Sequence, residues 1–252
     1  MEIIDVILLG VLQGLTEFLP VSSSGHLVLG QYLLGINSPG NTLEILFHIG
    51  TLGSVIVVLF DEIRRIILSL NKRSTQKLIL FIIISTVPAV IIGLIFRHNI
   101  ESLFESVNSV GYALCFTGLI LILSIKTNNK DSKHSYFSSI IIGLSQALAI
   151  IPGISRSGMT ITASLFLGFS ARESAKFSFL LSIPIIAGAG IISILDHPYE
   201  TSFSFNIILA ALLSSFFIGV IALKLLIKLL ELGKIYFFGI YCIGVGFLAI
   251  FV

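Results

Sequence analysis

The sequence predicts an all-α integral membrane protein built as an inverted-topology repeat, with six transmembrane helices and two re-entrant helical hairpins. Three observations carry this expectation. Hydrophobic residues make up 56% of the 252 and charged residues only 11%, with a mean hydropathy of +1.07. A soluble domain carries roughly 25% charged residues, so this chain cannot cover a water-facing surface and the bilayer must be its solvent. The basic residues gather in alternate connections between apolar runs. Finally, two apolar regions are broken by polar turns, and those two regions resemble each other.

The first broken region is residues 2–35, interrupted by Pro20 and the run Ser22-Ser23-Ser24-Gly25. Its start, Met1-Glu2-Ile3-Ile4-Asp5, is acidic where a cleavable signal peptide would be basic, so this segment is expected to stay in the protein. The second is residues 136–169, interrupted by Pro152-Gly153 and Ser155-Arg156-Ser157-Gly158. Each reads as helix, polar turn, helix, with neither arm long enough to span, hence a hairpin that returns to the side it entered. Irregular backbone at membrane depth requires burial in protein or a wet cavity. Six uninterrupted stretches, 43–60, 78–96, 108–125, 174–193, 205–222 and 235–252, approach the roughly 20 apolar residues that a spanning helix needs. Pro88 and Pro184 each follow a hydroxyl residue, Thr86 and Ser182, by two positions, and kinks that shape a cavity are expected there.

Loop charge sets the orientation. Residues 61–77 carry Arg64, Arg65, Lys72, Arg73 and Lys77; residues 126–134 carry Lys126, Lys130 and Lys133. Arg172 and Lys176 lie in 170–176, and Lys224, Lys228 and Lys234 in 223–234. These connections are cytoplasmic by the positive-inside rule, whereas 97–107, with Arg97 alone, and 194–204, with no Lys or Arg, are external. The scheme closes only if both broken regions are re-entrant, the first entering from outside and the second from the cytoplasm. With the basic residues so dispersed, no nucleic-acid partner is expected. Cys115 and Cys242 lie inside apolar runs and read as packed thiols.

Gln13, Leu15, Ser22, Ser24 and Gly25 recur 133 residues later as Gln146, Leu148, Ser155, Ser157 and Gly158, with Ser23 corresponding to Arg156. The chain therefore divides into residues 1–125 and 126–252, each a hairpin (2–35, 136–169) followed by three spanning helices. An odd number of crossings inverts the second half, and in such repeats the broken segments meet near the midplane to form the site.

The chemistry is expected at the two turns. Gln13 and Glu17 are four apart and share a helix face. A carboxylate inside an apolar segment is costly and functional by default, here as metal ligand or proton acceptor. His26 follows the Ser-Gly turn and suits a nucleophile or general base, while the serines can also cap the return helix. In the second turn, Ser155, Arg156, Ser157 and Thr160 suit an anion, because helix N-terminal N–H groups and the Arg fork both favour phosphate. An Arg156–Glu17 ion pair across the hairpins is the competing role, and the two alternate if the pair forms without substrate. His48, one turn after Glu44, reads as packing in preference to a supporting group, and Arg97, His98, His134 and His197 as solvated loop residues.

Gln13-x-x-x-Glu17, the run Pro20-Val-Ser-Ser-Ser-Gly-His26 and Pro152-Gly-Ile-Ser-Arg-Ser-Gly-Met-Thr160 resemble the signature motifs of undecaprenyl-diphosphate phosphatases of the bacitracin-resistance type. The first family motif is Glu or Gln, three residues, then Glu, and this chain has the Gln form. The resemblance extends over the whole chain. It implies hydrolysis of undecaprenyl diphosphate to the monophosphate at the outer face of the bacterial cytoplasmic membrane, recycling a lipid carrier for cell-wall synthesis. It also implies a divalent cation, Mg²⁺ or Ca²⁺, and bacitracin resistance.

In that framework Arg156, Ser155, Ser157 and Thr160 hold phosphate oxygens together with Ser22 and Ser24. Glu17, with Gln13, holds the metal. His26, Ser23 or water attacks the phosphorus, and the sequence does not choose among them. A carrier of an anion or lipid phosphate is the rival class, since it needs the anion cradle but no nucleophile. Oligomeric state is not legible, and a homodimer is among the arrangements allowed.

Overall fold

The computed structural model describes residues 2–36, 41–96, 99–100, 103, 106–127, 132–196 and 203–251. Arg97, His98, Lys130 and His197, assigned above to loops, lie outside these. The described residues form eleven α-helices and no strand: α1 Ile3–Phe18, α2 Ser23–Leu33, α3 Asn41–Val58, α4 Phe60–Leu68, α5 Arg73–Ile95, α6 Val107–Leu123, α7 Tyr136–Leu148, α8 Arg156–Phe166, α9 Ala171–Asp196, α10 Phe205–Glu231 and α11 Tyr236–Ile250. Large apolar side chains face outward all along them, including Ile91, Phe217 and Phe247, each at least half exposed. A water-soluble surface does not tolerate that; a lipid-facing one does.

Four helices are long and apolar enough to cross a membrane: α5, α6 with the short 3₁₀ turn that extends it to Lys126, α9 and α10. A fifth candidate is α3 with α4, bent by 72° at Leu59. The segment expected as a loop from 61 onward thus begins with a helix. It carries Asp61, Glu62, Arg64 and Arg65 and buries no residue, the composition of a helix lying along an interface. The stretch expected at 235–252 forms only the 15 residues of α11, about 22 Å at 1.5 Å per residue. The two broken regions are helix pairs, α1 with α2 and α7 with α8, of 16, 11, 13 and 11 residues, none reaching the roughly 30 Å of a hydrocarbon core.

Small residues set the helix packing. A Cβ on Gly118 would lie 2.6 Å from the Gly239 carbonyl oxygen and one on Gly246 2.6 Å from that of Gly111, so α6 and α11 meet backbone to backbone. Gly14 of α1 is equally close to α10, where a Cβ would fall 2.7 Å from the Ser215 carbonyl oxygen, and Gly143 of α7 lies against the backbone of Ser85 in α5. Serine hydroxyls knit the same seams: Ser54 donates to the Phe216 carbonyl at 2.8 Å and Ser85 to the Ser139 carbonyl at 2.8 Å. Thus α1 packs mainly on α10, and α7 on α5.

Both α5 and α9 continue through their prolines, Pro88 and Pro184. Their neighbours Ala89, Ile185 and Ile186 line the central cavity. His134, expected to be solvated, instead sits among Phe81, Phe169 and Phe177, with its ring centroid 4.4 Å from Phe169 and 4.3 Å from Phe177. Burial lowers its pKa, and Lys176 adds to that while Glu173 opposes it. Lys176 also pairs with Glu62 at 3.1 Å, joining α9 to α4.

Candidate functional site

The turns of the two hairpins are built alike. Ser22 caps α2, its Oγ accepting from the Gly25 N–H at 3.3 Å and lying 3.2 Å from Ser24 Oγ. Ser155 caps α8, its Oγ accepting from the Gly158 N–H at 3.0 Å and lying 3.2 Å from Ser157 Oγ. These are hydroxyl caps of the kind that satisfy orphan N–H groups at a helix start. Ser23 and Arg156 therefore occupy the same place, first residue of each return helix. The turns differ in strain: Ser22 has φ +70°, and the non-glycine residue at that position in the second turn, Ser155, has φ −73°. In the second turn the left-handed position falls on Gly153, φ +94°, where no Cβ opposes it.

The turns touch. A Cβ on Gly25 would lie 3.0 Å from Gly153 Cα, and Gly158 faces Pro20. Ser157 Oγ donates to the Leu19 carbonyl at 3.4 Å. Each turn is also tied to a more distant helix. Thr117 of α6 donates to the Gly153 carbonyl at 3.0 Å and accepts from the Ser155 N–H at 3.1 Å. Cys242 of α11 points its thiol at the Pro20 carbonyl, 3.7 Å away.

At the junction lies Glu17, 8% exposed. Arg156 Nη2 donates to its Oε1 at 2.7 Å; Ser23 Oγ at 2.7 Å and Gln13 Nε2 at 3.0 Å donate to its Oε2. A buried carboxylate is tolerable when both oxygens are paired in this way. The ion pair expected across the hairpins is thus formed. Gln13 Nε2 also lies 3.0 Å from His48 Nδ1. Glu17, Ser22, Ser23, Ser24, Ser155 and Arg156 face one cavity of about 360 Å³.

Four expected site residues lie off that cavity, Gln13 among them, fully buried beside Glu17. Ser157 and Thr160 are buried in hairpin packing, Thr160 Oγ1 being 2.7 Å from Ser178 Oγ of α9. His26 lies behind the turn. Its Nδ1 is 2.8 Å from the Ser22 carbonyl, its Nε2 is 2.8 Å from Tyr241 Oη, and its ring stacks on Tyr241. Four unexpected polar residues belong to the cavity or its edge: His48, Glu44 and Gln146 line it, and the Gln31 amide donates to Glu44 Oε1 at 3.4 Å. His48, expected to serve packing, is a wall of the cavity.

The donors beside Glu17 also bear on a metal. Gln13 Oε1 is buried with no hydrogen-bond partner, so one carboxylate and one orphan amide oxygen are present. Both are hard oxygen donors, the kind that hold Mg²⁺ or Ca²⁺ when substrate phosphates and water complete the shell. Among the described residues no three His, Cys, Asp or Glu side chains group as a metal site.

Residues 6–248 match the family profile described as "Bacitracin resistance protein BacA". This chain belongs to the BacA family. Curated relatives extend the match over nearly the full length of both chains. One from Halothermothrix orenii, named undecaprenyl-diphosphatase, is 44% identical over 256 residues, covering 99% of this chain and 98% of the relative. Proteins of the same name from Desulforapulum autotrophicum and Alkaliphilus metalliredigens are 41% and 42% identical, each over 99% of this chain and 98% of the relative. The two hairpin turns of this BacA family member, with the cavity between them, thus fall wholly inside the matched region.

Proposed function

We propose that this protein hydrolyses undecaprenyl diphosphate to undecaprenyl phosphate and inorganic phosphate, the activity named for its relatives. The observation that carries the reading is Ser23 Oγ at 2.7 Å from Glu17 Oε2 with Arg156 on the other carboxylate oxygen, all facing one cavity. A hydroxyl hydrogen-bonded to a base is the arrangement of an activated nucleophile, and an Arg fork suits the phosphoryl group it would attack.

Ser23 Oγ attacks the terminal phosphorus as Glu17 takes its proton. Arg156 turns from Glu17 to the phosphoryl oxygens, and the bond to the bridging oxygen breaks, releasing undecaprenyl phosphate, to which Glu17 passes the proton it took. Water then attacks the phosphoserine, giving a proton to Glu17, which returns it to Ser23 Oγ as the serine–phosphorus bond breaks and inorganic phosphate leaves. Ser22, Ser24 and Ser155 offer hydroxyls to the phosphate groups. Ser23 is preferred to His26 because both ring nitrogens of His26 are engaged and its side chain lies behind the turn. Glu17 would hold a divalent cation, Mg²⁺ or Ca²⁺, together with substrate phosphates, which when bound offsets charge on the diphosphate, while Gln13 keeps its amide nitrogen on Glu17.

The cavity holds a diphosphate but not a long prenyl chain, which stays outside it. An apolar groove lined by Ile82, Ile83, Val87, Val90 and Pro184 of α5 and α9, the helices that also give Ala89 and Ile185 to the cavity, suits that chain. We place the site toward the external face of the bacterial cytoplasmic membrane. The cavity reaches Glu44 near the start of α3 and Gly190 in the last turns of α9, the ends opposite the basic connections. The inverted repeat of 1–125 and 126–252, with both hairpins re-entrant and six spans, is supported by crossed packing. Each hairpin's first helix lies on a helix of the other half, and each turn is tied to the other half's last helix.

The test is inorganic phosphate release from undecaprenyl diphosphate by purified protein in detergent with Mg²⁺ or Ca²⁺. Release by the wild type and none by Ser23→Ala or Arg156→Ala is expected. A folded wild type that binds the diphosphate but releases nothing overturns the enzyme and favours a carrier.

A further inference from the structure

The hydrogen bonds around Gln13 fix the chemistry of a residue that the reaction above leaves unused. The Gln13 amide nitrogen has two hydrogens and two partners, Glu17 Oε2 and His48 Nδ1, each at 3.0 Å. Turning the amide over would set its oxygen against a carboxylate oxygen, two acceptors in contact. The amide orientation is therefore fixed by Glu17. His48 Nδ1 must then accept, and the proton of the neutral ring sits on Nε2. His48 Nδ1 also lies 3.6 Å from Glu17 Oε2, too far for a hydrogen bond, and the amide between them takes both groups.

The opposite edge of the ring has a different setting. His48 is about one-third exposed at its side chain and forms part of the cavity wall that also holds Glu17, Ser23 and Arg156. Its Nε2 has no hydrogen-bond partner among the described residues. Glu44, one turn earlier on α3, takes a hydrogen bond from Gln31 and none from His48. An N–H on a ring that lines a cavity suited to a diphosphate, with no protein acceptor among the described residues, is a donor awaiting one.

Resting on the phosphatase reading, we propose that His48 is a substrate-contacting residue: its Nε2–H donates to a phosphoryl oxygen of the bound diphosphate, in the tautomer that Gln13 imposes. Arg156 supplies charge to the phosphate from the second hairpin. His48 supplies a directional donor from α3, so the diphosphate is gripped from three elements instead of two.

The tautomer makes the proposal testable by amide replacement. Glutamine places its NH₂ where Nε2 stands, whereas asparagine places its amide where Nδ1 stands. The measurement is phosphate release from a polyprenyl diphosphate with saturating Mg²⁺ by wild type, His48→Gln, His48→Asn and His48→Ala. It is paired with equilibrium binding of the same lipid to each change in a Ser23→Ala background. His48→Gln is expected within about threefold of wild type, and His48→Asn and His48→Ala to lose about tenfold to a hundredfold in kcat/KM with matching loss of affinity, the range for one hydrogen bond to a charged group. Equal activity of His48→Ala and wild type, or of His48→Asn and His48→Gln, overturns the proposal.

Should the substitutions unfold the protein, the imidazole ¹⁵N spectrum of the Ser23→Ala protein decides. A protonated Nε2 that shifts on adding inorganic pyrophosphate supports the assignment, and a protonated Nδ1 ends it. If the wild type releases no phosphate, the phosphatase reading fails. The binding arm still reports whether His48 grips the diphosphate.

Discussion

Glu17 is the residue on which the site turns, because it holds the nucleophile candidate on one oxygen and the guanidinium proposed to bind phosphate on the other. Lysine at 156 keeps a charge but loses the fork, so Arg156→Lys is expected to lower kcat/KM about tenfold to a hundredfold, read in the phosphate-release assay. Ser22 sets two terms against each other. Its φ of +70° costs about 1–3 kcal/mol, while its cap to Gly25 contributes about 0.5–2 kcal/mol. Ser22→Gly removes both and should leave unfolding free energy within about 1 kcal/mol of wild type, whereas Ser22→Ala keeps the strain, loses the cap and should cost about 1 kcal/mol. Chemical denaturation in detergent separates them. At this scale Gln13, Glu17, Ser23 and Arg156 were legible because each is a polar side chain stranded in an apolar segment, which needs a partner. His48 and Glu44 were not, since one polar residue per turn of a long helix looks the same whether it faces a cavity or a seam. His26, Ser157 and Thr160 show the converse: on an 11-residue return helix the sequence names the polar residues but not which side of the helix meets the cavity.

At the scale of the elements, close backbone contact replaces the large apolar side chains that join helices in water. The α6–α11 seam is the clearest case. Gly118→Val would drive a branched side chain into the Gly239 carbonyl, 2.6 Å from where its Cβ must lie. The expected cost is about 1–3 kcal/mol, seen as a lower thermal midpoint, with loss of activity following because α6 also holds the Gly153 carbonyl through Thr117. Helix identity and the two broken regions were evident from hydropathy and from Pro20 and Pro152. The helix at Phe60–Leu68 was not, because four charges in nine residues have the composition of a loop. The shortness of α11 was hidden as well, since the apolar stretch 235–252 runs a residue or two past each end of the helix.

For the whole molecule, orientation and pH response follow from charge. With Cys115 and Cys242 replaced, a cysteine at Ser69 or Lys234 should resist membrane-impermeant thiol reagents in intact cells, and one at Ser204 should react. The reverse pattern would invert the assignment. His134 is held below its ordinary value of 6.5 by its aromatic surroundings. A depressed pKa means that the unfolded chain binds the proton more readily. The stability His134 contributes is therefore complete above pH 6.5 and declines as pH falls from there through the lower folded value. His134→Phe should flatten that decline in denaturation measured between neutral and mildly acidic pH. The inverted plan is an expectation that rests on a few recurring residues and on loop charge. The crossed attachment of each turn to the other half depends on side-chain contacts such as Thr117 to Gly153 that no periodicity announces.

The Glu17–Arg156 pair has a kinetic meaning beyond holding the hairpins together. The carboxylate is a tethered rival for the same guanidinium, present at a high effective concentration whenever the cavity is empty. A diphosphate, with more charge and more oxygens, can outbid it. Once the anhydride is cut, each fragment faces the rival with fewer contacts. In the proposed reaction Glu17 would recapture the arginine as the fragments loosen, giving the protein a means of releasing the phosphate it makes.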